Sequence, residues 1–281
     1  MEPSQYPKPV VVGIDGSSAA IYAALWAAKE AVSHDAPLQL AYVMADAPAS
    51  ARPGEFDSEF DYGMDVLESA RDAVSAANDS VKIDTKLHRG NLARTFIDLS
   101  ATAELVAVGS SGIGHVAEIL LGSTAGSLAR GAHCPVAIVR GENSCTGPHS
   151  TGPVVVPVES GQLEDAAVHA AFREAALRCA ELLVVHLHQP RPWAVPPSTT
   201  QVGKPMWTDP AVEKWRAAYP GVDAREIAVT GYSGSYLEQL SRSSRLIVVA
   251  RRGGSDKPAH LGSSAHAMLY HAKCPVLVVP R

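Results

Sequence analysis

The same sequence pattern occurs twice in this chain, in the same order, and this duplication constrains the fold more than any other feature. The matching segments are residues 10–16 and 154–160, 105–108 and 246–249, 122–125 and 262–265, and 134–139 and 274–279. Matching positions lie about 140 residues apart, which is a common length for one domain. We therefore expect two tandem domains, residues 1–140 and 153–281. The linker between them, residues 141–152, is rich in Gly, Ser, Thr and Pro.

Within each copy, short apolar runs alternate with longer helical patterns. In the first copy we expect strands at residues 10–14, 38–44, 81–88, 105–108 and 135–139 and helices at 17–34, 64–77, 92–102 and 123–131. Pro48, Pro53 and Gly54 favour a loop over residues 45–63. The alternation predicts an α/β doubly wound domain, in which helices cover both faces of a parallel sheet. Ligands of such domains bind beyond the carboxyl ends of the strands, near the switch point of the sheet.

A glycine-rich loop follows the fourth predicted strand of the first copy, where a ligand is expected. It begins at Gly109 and closes at Gly122-Ser123-Thr124, which opens a helix. Glycine lets the backbone approach a phosphate closely, and the free amides and dipole of a helix N-terminus favour an anion. The same glycines could also do no more than end a strand and form a turn. The spacing matches neither a P-loop nor a dinucleotide fingerprint.

The chain resembles the universal stress protein family, in the tandem form common in actinobacteria. The resemblance is carried by residues 10–17, by the spacing of Gly109, Gly112 and Gly122-Ser123, and by the Cys-Pro-Val segment at residues 134–136. It implies two tandem domains, each with a five-stranded parallel sheet flanked by helices, and ATP bound across the strand ends, with or without Mg²⁺. The residues implied to bind ATP are Gly13, Asp15, Val43, Gly109, Ser110, Ser111, Gly112, Ile113, Gly114, His115, Gly122, Ser123 and Thr124.

The resemblance also implies a role for each part of this set. Asp15 would contact the ribose or a metal, the backbone of Val43 would face the adenine, and the glycine loop would hold the phosphates. The strand pattern agrees on the location, because Asp15, Val43 and Gly109 all fall at carboxyl ends of predicted strands. No catalytic residue is indicated.

The second copy has lost much of this pattern. It carries Pro157 in place of Gly13, Glu159 in place of Asp15, and Ala250 in place of Gly109. Its loop is also one residue shorter between the second glycine and the closing Gly-Ser. We expect the second domain to bind ATP weakly or not at all. Three basic residues in its loop either attract a phosphate or simply face solvent, which we favour: Arg251, Arg252 and Lys257.

Composition limits the classes of function. The formal net charge of −5 comes without a dense basic block, which argues against nucleic acid as a ligand. No apolar run reaches the roughly 20 residues of a membrane span. The polar N-terminus and four cysteines without a CxxC pair indicate a cytoplasmic protein. Cys134 and Cys274 are predicted to be buried, and His186 is interpreted as a structural residue rather than a metal ligand.

The resemblance, together with the glycine loop, implies a nucleotide-dependent regulator of stress adaptation that an unidentified protein partner recognises. A slow ATPase or an adenylyl- or phosphoryl-transfer enzyme is the alternative, and a structural module that binds no ligand is another. The last strand of each copy would lie at a sheet edge, where bare strands invite pairing. In the family these edges pair between domains, so we expect pairing within the chain and a homodimer.

Overall fold

The computed structural model describes residues 7–46, 55–110, 121–141, 151–159, 165–188, 200–205, 209–231, 233–254 and 257–280. The chain divides into two compact units, Met1–Cys145 and Thr146–Arg281. Within the described ranges, no helix is both long enough and apolar enough to cross a membrane.

The first unit is an α/β domain whose strands and helices alternate along the chain, as the sequence predicts. Its strands are β1 (Val10–Gly13), β2 (Leu38–Met44), β3 (Ile83–Arg89), β4 (Leu105–Gly109) and β5 (Val136–Val139). Its helices are α1 (Ser18–Ser33), α2 (Glu55–Ala77), α3 (Leu92–Ser100) and α4 (Ser123–Gly131). The strands pair in the order β3-β2-β1-β4-β5, and every neighbouring pair is parallel. The chain reverses its direction of winding between β1 and β4, so the switch point lies there.

Helix α1 packs closely on the sheet because its buried face consists largely of alanine. Six of its alanines are almost completely buried: Ala20, Ala23, Ala24, Ala27, Ala28 and Ala31. The helix begins after a tight turn in which Gly16 has φ of +84°, a conformation that favours glycine. Ser17 caps the helix, since its hydroxyl accepts a hydrogen bond from the amide of Ala20 at 3.2 Å. This packing holds the N-terminus of α1 against the end of β4.

The prediction of a loop over residues 45–63 is wrong for the second half of this range. Helix α2 begins at Glu55, directly after the residues that suggested a loop, and residues 47–54 lie outside the described ranges. Gly63 lies inside this helix, where a Cβ would be 2.8 Å from Cδ1 of Tyr42 on β2. A glycine that looked like a loop residue therefore permits close packing of α2 on the sheet.

The second unit repeats this architecture and adds two antiparallel strands. Its strands are β6 (Val154–Glu159), β7 (Leu182–His188), β8 (Gln201–Gly203), β9 (Ala224–Thr230), β10 (Leu246–Gly254), β11 (Lys257–Leu261) and β12 (Val276–Val279). Its helices are α5 (Asp165–Leu177), α6 (Pro210–Ala218), α7 (Ser233–Ser241) and α8 (Ser263–His271). The order is β12-β10-β6-β7-β9-β8, with β12 to β9 parallel. The additions are β8, which pairs antiparallel with β9, and β11, which pairs antiparallel with β10.

Two sequence interpretations concern buried reactive residues. Burial raises the pKa of the Cys134 thiol to about 12, so this cysteine stays protonated at neutral pH, and Cys274 is fully buried. His186 places its Nε2 atom 2.9 Å from a carboxylate oxygen of Glu226, which also contacts Arg216 at 3.2 Å. These contacts give all three residues a structural role, because they connect α6 to β9 through Arg216 and β9 to β7 through His186.

Candidate functional site

A cleft of about 230 Å³ opens at the carboxyl ends of β1 and β4 in the first unit, at the switch point of the sheet. Its walls come from the end of β1, the N-termini of α1, α3 and α4, and the end of β4. The lining residues are Gly13, Ile14, Asp15, Ser17, Ala20, Leu92, Phe96, Val108, Gly109, Gly122, Ser123, Thr124 and Ala125. The cleft thus brings together six of the residues that the sequence points to: Gly13, Asp15, Gly109, Gly122, Ser123 and Thr124.

The N-terminus of α4 presents backbone amide donors to the cleft. The cap residue Gly122 makes no side-chain hydrogen bond to the helix. Within the described part of the chain, the amides of Ser123, Thr124 and Ala125 have no protein acceptor. The first amides of an α-helix have no partner inside the helix and carry its positive dipole end. This end of the cleft therefore suits an anion.

The backbone conformation of Gly122 does not require a glycine at this position. Its φ of −58° and ψ of 148° are accessible to any residue. Among the described residues, a Cβ here would meet nothing closer than the carbonyl oxygen of Ser110, at 3.5 Å. Neither backbone conformation nor packing against the described residues requires a glycine here, and its lack of a side chain leaves this part of the cleft mouth clear of a methyl group.

The glycine loop is closed at its base by the backbone. The Gly122 amide donates to the Ser110 carbonyl at 2.9 Å, and the Ser110 amide donates to Val139 on β5 at 2.9 Å. Ser110 itself is buried. The amide of Gly122 is consequently committed to the loop. The remaining predicted loop residues, Ser111, Gly112, Ile113, Gly114 and His115, lie outside the described ranges.

Gly109 lines the cleft, but packing also demands a glycine here. A Cβ at this position would lie 2.9 Å from the carbonyl carbon and 2.9 Å from the Cβ of Ala19 in α1. Contacts this short with backbone atoms cannot be relieved by a side-chain rotation. The small size of Gly109 is therefore needed to seat α1 against β4.

Asp15 lies at the edge of the cleft, where it also shapes the turn after β1. One carboxylate oxygen accepts a hydrogen bond from the Ser17 amide at 2.9 Å. Val43 lies on β2, paired in register with His88 on β3. Among the residues described, the lining of this cleft does not include Val43. Contact between Val43 and a ligand therefore stays a prediction.

Two apolar side chains that α3 contributes to the cleft were missed by sequence reasoning. Leu92 and Phe96 extend from α3 into the wall, and a Cβ on Gly13 would lie 3.1 Å from the Phe96 ring. Leu92 is exposed, whereas Phe96 is almost fully buried. Their spacing of four residues puts both on one face of a helix that the sequence did predict. Strand ends and glycine spacing, which locate the rest of the site, carry no signal for that helix face.

The equivalent cleft of the second unit is nearly filled. It measures about 30 Å³, room for about two water molecules. Glu159, at the end of β6, extends its carboxylate to the N-terminus of α8. Its Oε2 atom pairs with Arg252 at 2.8 Å, and that arginine is only a quarter exposed. Our interpretation of Arg252 as a residue of a solvated loop is therefore wrong.

Ionised Glu159 is stabilised by its surroundings. Burial alone raises the pKa of this carboxyl, but hydrogen bonds from Ser264 and Ser263 and the charge of Arg252 outweigh burial. The net effect holds the pKa of Glu159 below its ordinary value of 4.5.

A lowered pKa in the folded state makes the stability of the second unit depend on pH. The stabilisation by ionised Glu159 is fully present above its ordinary pKa and is lost as the pH falls through the folded value. We therefore expect Glu159→Gln to lower the free energy of unfolding at pH 7, by an amount that shrinks in acid. Urea unfolding of both proteins at pH 7 and below pH 4.5, followed by hydrogen exchange in β6 and α8, measures this difference. A difference that stayed constant across this range would contradict the expectation.

Comparison with known proteins agrees with this architecture. The model of the universal stress protein family matches residues 7–140 and again residues 151–280. Two universal stress proteins of Mycobacterium tuberculosis are each 34% identical to this chain. The first alignment spans 276 residues and covers 98% of this chain and 97% of the relative. The second spans 280 residues and covers 99% of this chain and 98% of the relative. The crystal structure of a universal stress protein from Archaeoglobus fulgidus shares the fold, with a TM-score of 0.73 at 16% identity, over 97% of this chain and 98% of that one. The chain therefore belongs to the universal stress protein family, with one family match in each half.

Proposed function

We propose that the first unit binds ATP in the cleft between β1 and β4, and that the chain acts as a nucleotide-dependent regulator of stress adaptation. The observation that carries this proposal is the N-terminus of α4. Three consecutive amides without a protein acceptor in the described residues face a cleft that a glycine keeps open. A phosphate group would satisfy these donors and the helix dipole together.

The residues of the cleft suit a nucleoside phosphate. The amides and hydroxyls of Ser123 and Thr124 would hold a phosphate at one end, and Leu92 and Phe96 offer apolar contact for an uncharged part of the ligand. Asp15 is the one carboxylate among the described lining residues. Protein sites commonly hold Mg²⁺ through one or two carboxylates together with the phosphates of the nucleotide, so Asp15 could hold a magnesium ion that accompanies ATP.

Nucleotide analysis tests the proposal directly. The purified chain is denatured, any released nucleotide is identified, and the nucleotide-free protein is titrated with ATP by calorimetry. We expect about one equivalent of ATP per chain, because the second cleft is filled. Absence of both released nucleotide and measurable binding would overturn the proposal.

A substitution in the open mouth of the cleft links binding to this site. We expect Gly122→Ala to weaken ATP binding about tenfold or more, since a methyl group would hold the phosphate away from the α4 amides. Calorimetric titration measures the change. Gly221→Ala is the matched control, because a Cβ at Gly221 meets no atom of the described residues within 4 Å. Equal affinities of the two variants would place the ligand elsewhere.

Regulation requires that ATP bind one conformation more tightly than another, since a ligand shifts an equilibrium only by its differential affinity. In the proposed role the chain holds ATP without rapid turnover, and a protein partner distinguishes the loaded from the empty state. Incubation with ATP and measurement of ADP separates this role from enzymatic activity. Several turnovers per minute, lost when Asp15 is replaced, would favour an ATPase.

A further inference from the structure

Asp15 and Glu159 occupy the same place in the two copies but make different contacts. Asp15 lies just beyond the end of β1, and Glu159 is the last residue of β6. The Asp15 carboxylate turns back to the amide of Ser17, two residues along the chain. The Glu159 side chain, one methylene longer, instead reaches the N-terminus of α8, more than a hundred residues away in the sequence.

The carboxylate of Glu159 receives the set of donors that a bound anion would receive. Its Oε1 atom accepts hydrogen bonds from the Ser264 amide at 3.0 Å, the Ser264 hydroxyl at 2.6 Å and the Ser263 hydroxyl at 2.9 Å. Its Oε2 atom lies 2.8 Å from an Nη atom of Arg252. A helix-terminal amide, two hydroxyls and a guanidinium are typical ligands of a phosphate oxygen.

The side chain of Arg252 lies against Gly262, at a place where no described side chain of the first unit approaches the matching Gly122. A Cβ on Gly262 would lie 3.2 Å from both Cζ and Nε of Arg252. At the matching Gly122 in the first unit, no described atom lies closer than 3.5 Å to that point. The two clefts differ accordingly, at about 30 Å³ in the second unit and 230 Å³ in the first.

We propose that Glu159 is an internal ligand that keeps the second cleft closed by occupying the position of a phosphate group. The inference rests on the proposed function to the extent that the matching place in the first unit is taken to receive a phosphate. An incoming anion must break the Glu159–Arg252 pair and approach a fixed negative charge. Because Glu159 is part of the chain, it also competes at a high effective concentration.

This mechanism differs from loss of the site through changes in the loop. If only the loop mattered, removing Glu159 would leave the second unit unable to bind anions. If Glu159 closes the site, its removal frees Ser263, Ser264 and Arg252 to bind a phosphate group. We therefore expect Glu159→Ala to create a second anion site in each chain.

The experiment titrates the full-length wild type and Glu159→Ala with pyrophosphate and with ATP by calorimetry at pH 7, and counts sites per chain. We expect one site in the wild type and two in the variant, with ligand-dependent slowing of hydrogen exchange in α8 only in the variant. Glu181→Ala is the matched control. Glu181 forms an ion pair with Arg225, at 3.2 Å, that is not part of this cleft, so this variant should keep one site. In the double variant Glu159→Ala, Arg252→Ala, the second site should bind at least tenfold more weakly. Unchanged affinity there would overturn the role of Arg252 as the partner of the anion.

The outcomes separate this inference from the proposed function. One site in the wild type and one in a folded Glu159→Ala would overturn the internal-ligand mechanism and leave the ATP proposal standing. No site in the wild type and one in the variant would overturn the ATP proposal and support the internal-ligand mechanism. If Glu159→Ala does not fold, Glu159→Gln decides, because it keeps the side-chain length and an acceptor oxygen but loses the charge that pairs with Arg252. A folded Gln variant with no second site also overturns the mechanism, and a weak second site supports it.

Discussion

Replacing Gly109 by alanine is expected to destabilise the first unit by about 3 kcal/mol, a large share of the stability of a single domain. The added Cβ would lie 2.9 Å from the carbonyl carbon of Ala19 and 2.9 Å from its Cβ. Neither atom can rotate away, so α1 must move as a body from β4. That movement would loosen the alanine-rich contact that forms much of the core on this face of the sheet.

Hydrogen exchange resolved along the chain measures this effect without assuming that both units unfold together. Amides of β1 and β4 should exchange faster in Gly109→Ala, whereas those of β6 and β7 should not change. Gly122→Ala serves as the matched control, since its Cβ meets no close atom among the described residues, and exchange in β1 and β4 should equal that of the wild type. Normal protection of β1 and β4 in Gly109→Ala, combined with lost ATP binding, would instead assign Gly109 to phosphate contact alone.

Replacing Glu226 by alanine is expected to destabilise the second unit by about 3 kcal/mol. The carboxylate of Glu226 is 8% exposed and lies between His186, at 2.9 Å, and Arg216, at 3.2 Å. Its removal leaves the buried His186 ring without this acceptor and the arginine without its buried partner. An orphaned buried polar group costs more than the net value of the bond that it made.

The same arginine provides the control for this prediction. Arg216 also pairs with Glu213, whose side chain is 54% exposed. Exposed pairs contribute about 0 to 1 kcal/mol, so Glu213→Ala should have little effect. Urea unfolding monitored by hydrogen exchange in β7 and β9 compares the two variants. Equal losses of stability would show that the buried position of Glu226 has no special importance.

Much of the fold followed from the sequence because strand and helix patterns report local burial. The five strands of the first unit and helices α1, α3 and α4 were predicted within two residues at most boundaries. Helix α2 was predicted nine residues too short. The first half of this helix contains Gly63, which allows the helix to pack closely against Tyr42 on β2, a strand distant in sequence. Helix propensity alone could not reveal that contact.

The candidate site was only partly accessible to sequence reasoning. Strand ends and glycine spacing led to Gly13, Asp15, Gly109 and the start of α4, since these depend on topology. The packing role of Gly109 and the contribution of Phe96 depend on distances between elements, which no local pattern contains. The prediction that Arg252 in the basic loop of the second unit faces solvent was wrong for the same reason. Arg252 has its partner at the end of β6, far away along the chain.

The carboxylate of Glu159, seated on the first turn of α8, has a consequence for how the chain responds to its surroundings. A ligand that is part of the polypeptide is present in its site from the moment of folding, and its effective concentration does not follow that of any metabolite. If the internal-ligand mechanism holds, the second half stays in one state while the first half fills and empties. Such a chain has a single titrating site, so its saturation curve has a Hill coefficient of one. A steeper response would then have to originate in association between separate chains.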